Sequence, residues 1–133
     1  MPNVSKLKWY VKQILDIEAK DKKPETGTIN YIICSDEELL KMNKEYLDHD
    51  TYTDILTFED YDPQDGLMAD IYISLDRAKE NAITYKQEPV DEMLRLYAHG
   101  ALHICGYKDK TQKQQELMRK CEDRCISLYY NAV

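Results

Sequence analysis

No stretch of this sequence is apolar for long enough to cross a bilayer, so a membrane-spanning helix is excluded. The opening, MPNVSKLKWYVKQIL, scatters lysines among apolar residues and has neither the apolar core nor the cleavage site of an export signal. The expectation is a cytoplasmic protein. Four cysteines, Cys34, Cys105, Cys121 and Cys125, lack the C-x-x-C spacing of a zinc knuckle. They are expected to be reduced thiols packed as small hydrophobes, outside any metal site. Repeats and low-complexity segments are absent, and 133 residues are too few for two ordinary domains, so one domain over 1–133 is expected. Histidine is scarce: His49, His99 and His103 are the full set.

Basic residues are outnumbered 18 to 25, for a net charge of −7, and the imbalance is local. Residues 36–76 hold 13 Asp and Glu against 2 Lys, a net of −11, which leaves +4 for the rest of the chain. Lysines gather at both ends, from Lys6 to Lys23 and again in the stretch from Lys108 to Arg124. An anionic polymer would be repelled by the acidic segment and tolerated by the terminal regions.

What is present is a run of recognisable elements. Leu7, Val11, Ile14 and Leu15 recur at helical spacing over residues 5 to about 20, and KDKKPETG breaks that helix. TINYIICS reads as a strand. Ser35 with Glu38 forms a capping box that opens a helix to about Tyr46. DILTFE and MADIYIS read as strands joined by DYDPQDG, whose Pro63 and Gly66 supply turn chemistry. Asp76 is placed to cap a helix to about Tyr85, and Pro89 to start another that carries Val90, Met93, Leu94, Tyr97, Ala98 and Leu102. Such a broad apolar surface belongs to a mostly buried helix, closed by Gly106. Thr111 with Gln114 is a second capping box, before a last helix through Leu117, Met118, Cys121, Cys125 and Leu128. The pattern predicts an α+β layered domain: a small mixed sheet of three to four strands packed with helices.

The chemistry concentrates in YAHGALHICGYKDK. His99 and His103 stand four apart, on one face of that buried helix, where two imidazoles can share one metal ion. Two uncompensated imidazoles in an apolar helix would be costly to bury, which favours a metal over two core histidines. Zinc peptidases of the H-E-x-x-H type carry a glutamate base after the first histidine; this chain has Gly100 there. Glycine in mid-helix costs about 1 kcal/mol against alanine, so a close backbone approach is expected at that point. A catalytic zinc needs a third ligand, and Asp109 in the exit turn can supply a carboxylate, with His49 as the rival.

HGALHICGYKD resembles the H-G-x-L-H-L-x-G-Y-D-H signature of the YbeY-type rRNA-maturation endoribonucleases. TDILTFE is similar to that family's T-D-V-L-S-F strand, MADIYIS to its following L-G-D-I-x-I-S strand, and MNKEYLDHDTYTD to its N-x-x-Y-R approach. The likeness covers most of residues 43 to 109, in order and spacing. It implies a single α+β domain, one zinc-like ion on the helix in the C-terminal third, and cleavage of single-stranded RNA during ribosomal RNA processing. His99 and His103 match the first two ligand positions; the third, a histidine in the family, falls on Asp109. Lys108 stands where the family has aspartate, and Leu47 where it has arginine.

A site of two imidazoles and one carboxylate leaves a zinc ion at +1 and not +2, which lowers the pKa of a bound water less. Lys108 can restore positive potential or contact a phosphate, which makes it a catalytic candidate beside His99 and His103. The ligand set also suits iron or nickel. Asp54 and Asp70 read as structural carboxylates. The function expected is a metal-dependent endoribonuclease acting on single-stranded RNA, with the ribosome as partner and no role for DNA or membrane. A metal-dependent peptidase or amidase, and a non-catalytic ribosome-assembly factor with a structural metal, are the competing classes.

Overall fold

The computed structural model describes residues 3–18, 27–64 and 66–131. The order along the chain is α1 (Val4–Glu18), β1 (Thr28–Cys34), α2 (Asp36–Leu47), β2 (Ile55–Asp62), β3 (Gly66–Ser74), α3 (Leu75–Thr84), α4 (Pro89–Ile104) and α5 (Gln112–Asn131). The break expected at KDKKPETG lies almost wholly outside the described residues.

Three strands form one mixed sheet in the order β1-β3-β2, with β1 parallel and β2 antiparallel to the central β3. The alternation of β3 sends Ala69, Ile71 and Ile73 to one face, all buried there. That face receives α4, whose Met93, Leu94, Leu96, Ala98, Ala101 and Leu102 are buried. Tyr72 on the opposite face meets Phe58, which in turn meets Tyr46 of α2. α1, α3 and α5 pack around α4. The architecture is the α+β layering expected, with α4 as its central helix.

Gly100 accounts for how close α4 comes to the sheet. A Cβ there would lie 2.9 Å from Ile71 Cδ1 and 3.0 Å from Ile71 Cγ2. The mid-helix glycine is therefore a packing requirement, in the place where zinc peptidases carry their base.

Helix ends follow the sequence closely. The box of Ser35 and Glu38 forms, with Glu38 N–H donating to Ser35 Oγ at 3.2 Å and Ser35 N–H to Glu38 Oε1 at 3.4 Å. Thr111 and Gln114 do the same at 3.1 Å each way. Pro89 is the first residue of α4. The start of α3 differs from expectation. Ser74 is its N-cap, accepting from Arg77 N–H at 3.0 Å, and Asp76 lies in the first turn. There Asp76 Oδ2 accepts from the backbone N–H of Asp36 at 3.0 Å, so it ties α3 to α2. β2 also runs through Asp62 and β3 starts at Gly66, so the connecting turn is tighter than DYDPQDG suggested.

All four cysteines are free thiols. Burial pushes Cys105 up to about 11 and Cys125 up to about 12. No described helix is long and apolar enough to cross a membrane.

Candidate metal centre

The exit of α4 sets the geometry of the site. Gly106 N–H donates to His103 O at 3.0 Å and Tyr107 N–H to Leu102 O at 3.0 Å, a Schellman closure. It requires Gly106 at φ +102°, a conformation that costs glycine little. The closure turns the chain so that the Tyr107 carbonyl oxygen lies 3.0 Å from His103 Nδ1. It also brings Asp109 back over the helix: Asp109 Oδ2 is 3.3 Å from His99 Nε2 and 3.5 Å from His103 Nε2. The two Nε2 atoms are 3.0 Å apart.

The acceptors at each Nδ1 assign a proton to that nitrogen in both imidazoles. A carbonyl oxygen only accepts, so His103 carries its proton on Nδ1. His99 Nδ1 faces Glu122 Oε2 at 2.7 Å, a carboxylate that likewise accepts, so its proton is on Nδ1 too. Both Nε2 lone pairs then point at one spot shared with a carboxylate oxygen. With both rings neutral, three acceptors face one another and repel unless a cation, a metal ion or an added proton on Nε2, lies in their midst. Zinc–nitrogen bonds of 2.0–2.1 Å at tetrahedral angles place neighbouring ligand atoms about 3.3 Å apart. The observed 3.0, 3.3 and 3.5 Å bracket that spacing. The donor set thus fits a small divalent ion, and it is the one such group of three among the described residues.

Glu122 is the residue that sequence reasoning missed. It is buried on α5 and accepts from Arg95 Nη1 at 3.0 Å as well as from His99. Arg95 Nη2 donates onward to Asp123 at 2.7 Å. This chain of charge orients the His99 ring, as outer carboxylates do for metal-binding histidines. Burial by itself pulls the His99 imidazole down, but the Glu122 hydrogen bond and charge, with Asp109 and Asp54, outweigh it and the net shift is upward. One signal was available: Glu122 shares the buried stripe of α5 with Met118, Cys121 and Cys125, positions where an unpaired carboxylate is costly.

His99, His103 and Asp109 sit in an open cleft of about 850 Å³, bounded by α4, α5 and the start of β2. Asp54 lines it, accepting from Asn81 Nδ2 at 3.3 Å. Burial raises the Asp54 carboxyl above its ordinary range, and the nearby His99 offsets part of that. The acidic 36–76 segment therefore contributes to the cleft wall through Leu47, residues 53–57 and Glu59. Asp70 lies elsewhere, on β3, where it accepts from Asn30 Nδ2 at 3.0 Å. Leu47 reaches the cleft, and so does Lys110. Lys108 is exposed and is not among the lining residues, and His49 is exposed on the loop after α2, apart from the three-ligand group.

A family model described as Endoribonuclease YbeY matches residues 2–129. The chain belongs to the YbeY endoribonuclease family. Among curated relatives named Endoribonuclease YbeY, that of Cytophaga hutchinsonii is 49% identical over 114 residues, covering 86% of this chain and 80% of its own length. The one from Christiangramia forsetii is 50% identical over 104 residues, covering 78% and 72%. The Phocaeicola vulgatus relative is 38% identical over 130 residues, covering 96% and 91%. The solution structure of TM1509 from Thermotoga maritima has the same fold, with a TM-score of 0.59 at 26% identity over 98% of this chain and 85% of that one. The matched residues 2–129 include the cleft and its group of His99, His103 and Asp109.

Proposed function

We propose that this protein is a metal-dependent endoribonuclease that hydrolyses phosphodiester bonds of single-stranded RNA in ribosomal RNA maturation, with zinc as its ion. The observation that carries the reading is the convergence of His99 Nε2, His103 Nε2 and Asp109 Oδ2 within an open cleft, with both outer nitrogens already committed to acceptors. A divalent ion held there supplies an activated water and offsets negative charge on a phosphate oxygen.

The chain's own groups do the rest. Glu122 and the Tyr107 carbonyl hold the two rings with their Nε2 lone pairs inward. Lys110 and Arg119 line the cleft and offer positive charge to the sugar-phosphate backbone. Of the two lysines that flank Asp109, we assign the phosphate contact to Lys110, with Lys108 adding potential from the exposed side of the turn. Asp54 keeps its orientation through Asn81 and presents a carboxyl beside His99. The ribosome is the natural partner for such an activity, in the cytoplasm.

Incubation with single-stranded ribosomal RNA fragments tests the reading. Cleavage that is lost on chelation or in His99→Ala, and that zinc restores to the chelated wild type, is the expected result. RNA binding without turnover under any metal would favour an assembly factor with a structural ion. A peptidase lacks support, because Gly100 packs on Ile71 where the base would stand.

A further inference from the structure

Glu92 is buried, at 5% exposure, yet it lines the cleft. Among the described residues its side chain has no hydrogen-bond or ion-pair partner, and its oxygens keep some accessible surface. The nearest cations are otherwise engaged or more distant: Arg95 is held by Glu122 and Asp123, and Arg119 acts on Glu92 through its charge alone. Burial lifts its carboxyl above the ordinary Glu range, Arg95 pulls it back, and Asp54 adds to the lift. A carboxylate this deep in a cleft is poorly hydrated and gains from a donor that reaches it there. The other buried or ligand-side carboxylates of the cleft are engaged: Asp109 beside the two imidazoles, Glu122 behind His99, Asp54 on Asn81; Glu59 lines the cleft but is exposed to solvent. Glu92 is the buried carboxylate of the cleft with no side-chain partner among the described residues.

Its position on α4 indicates what would meet it. Glu92, Leu96, His99 and His103 follow one another at helical spacing along the cleft. Glu92 is thus two turns, about 10 Å, from His99. That is too far for the reacting phosphate and within reach of a neighbouring base. Flat surfaces lie at the same end. Tyr85 is 56% exposed, and the Arg119 guanidinium stands 5.7 Å from its ring centroid. Single-stranded RNA is read by stacking its bases on aromatic rings or guanidinium planes and bonding their free edges.

We propose that Glu92 is a specificity-determining residue, the carboxylate of a guanine subsite in this cleft, with Tyr85 and Arg119 as its stacking surfaces. The inference rests on the RNA-cleaving reading above. A carboxylate has two acceptor oxygens side by side and no donor. Guanine is the one RNA base with two adjacent N–H donors on one edge, N1–H and the 2-amino group, so it can bond both oxygens at once. Adenine and cytosine place a ring-nitrogen lone pair beside their amino group, which would face the second oxygen and repel it. Uracil offers one N–H between two carbonyls. Pairing with guanine supplies the donors that Glu92 lacks.

The test uses the full chain loaded with zinc. Binding of guanosine, inosine, adenosine and cytidine 5′-monophosphates is measured by calorimetry or ligand-observed NMR, and a randomised single-stranded RNA is cleaved and its ends sequenced. Inosine differs from guanine only by the missing 2-amino group, so the comparison needs no variant. Guanosine monophosphate should bind about tenfold more tightly than inosine monophosphate, the loss expected for one hydrogen bond to a charged group. Glu92→Gln should erase that difference, and Tyr85→Ala should weaken all four nucleotides together. Cleavage ends should be enriched beside guanine. Equal affinity for the two purines in the wild type, or no guanosine monophosphate binding at all, overturns the subsite. Cleavage without guanine enrichment also overturns it while leaving the nuclease reading intact. Guanine-selective binding with no cleavage of any RNA supports the subsite and counts against the nuclease.

Discussion

At the residue scale, Asp109 and His49 make opposite forecasts for metal binding. Asp109 Oδ2 is within 3.5 Å of both imidazole nitrogens, whereas His49 is exposed on a loop and outside the group. Asp109→Ala should therefore weaken zinc binding sharply, Asp109→His should retain the ion, and His49→Ala should change little. Competition against a chromophoric chelator reads all three. Loss of the ion in His49→Ala with Asp109→Ala unaffected would move the third ligand to His49. Glu122 belongs to the same scale. Replacing it by glutamine removes the charge behind His99 and should lower zinc affinity about 10- to 100-fold, the usual cost of losing an outer partner. An unchanged dissociation constant would show that the Tyr107 side of the site alone keeps the rings in place.

One carboxylate of the cleft bears on stability as well as binding. Burial raises Glu92, so the folded state holds its proton more firmly than the unfolded chain does. A raised carboxyl contributes stability below the unfolded Glu pKa and loses it as pH rises through the folded value. Glu92→Gln should consequently melt at higher temperature than the wild type at pH 7 to 8, with the gap closing on acidification towards pH 4. A variant less stable than the wild type at neutral pH would mean that an unseen donor satisfies Glu92.

At the scale of elements, the contact of α4 with β3 is governed by two residues. Gly100→Ala gains helix propensity of about 1 kcal/mol, but its methyl would meet Ile71 Cδ1 and Cγ2 at 2.9 and 3.0 Å. Forcing a methyl into a filled core costs about 1–3 kcal/mol, so the single variant should be destabilised by about 1 kcal/mol. Ile71→Val removes Cδ1, the nearer atom. In that background Gly100→Ala should be neutral or stabilising, and denaturant unfolding of the four proteins measures the coupling. Additive effects would mean that the helix moves away from the sheet to admit the methyl. Such a shift would carry His99 with it, which makes Gly100 a determinant of the site as well as of the core.

At the scale of the molecule, charge is divided across the cleft. Its β2 side brings Asp54 and Glu59, and its α5 side brings Lys110 and Arg119, in a chain of net charge −7. RNA binding then depends on few cations and should be sensitive to each. Lys110→Glu should weaken binding of a single-stranded RNA and reduce the slope of log affinity against log salt by about 0.7, one phosphate contact. Asp60→Lys, far along the exposed end of β2, should leave affinity nearly unchanged. Fluorescence anisotropy at several salt concentrations separates the two, and equal effects would indicate that only net charge matters.

The elements of this protein were legible in its sequence because the forces that set them act over a few residues. Both capping boxes, Pro89 at the start of α4, Gly106 at its close and the His99–His103 pair are relations within one or two turns. Even there, Ser74 took the cap expected of Asp76, because Asp36 on another helix engages both residues. Asp109 was legible from its place in the turn after Gly106, and the family likeness put it at the third ligand position. Tertiary structure decided what no local pattern contains. Glu122 stands 23 residues from His99 and meets it only because α5 packs on α4. Asp54 reaches the cleft because β2 lies beside β3 above the same helix, and Ile71 makes Gly100 necessary from 29 positions away. Charge and hydrogen bonding at a buried site are sums over neighbours in space, and those neighbours are chosen by how helices and sheet close around a common core.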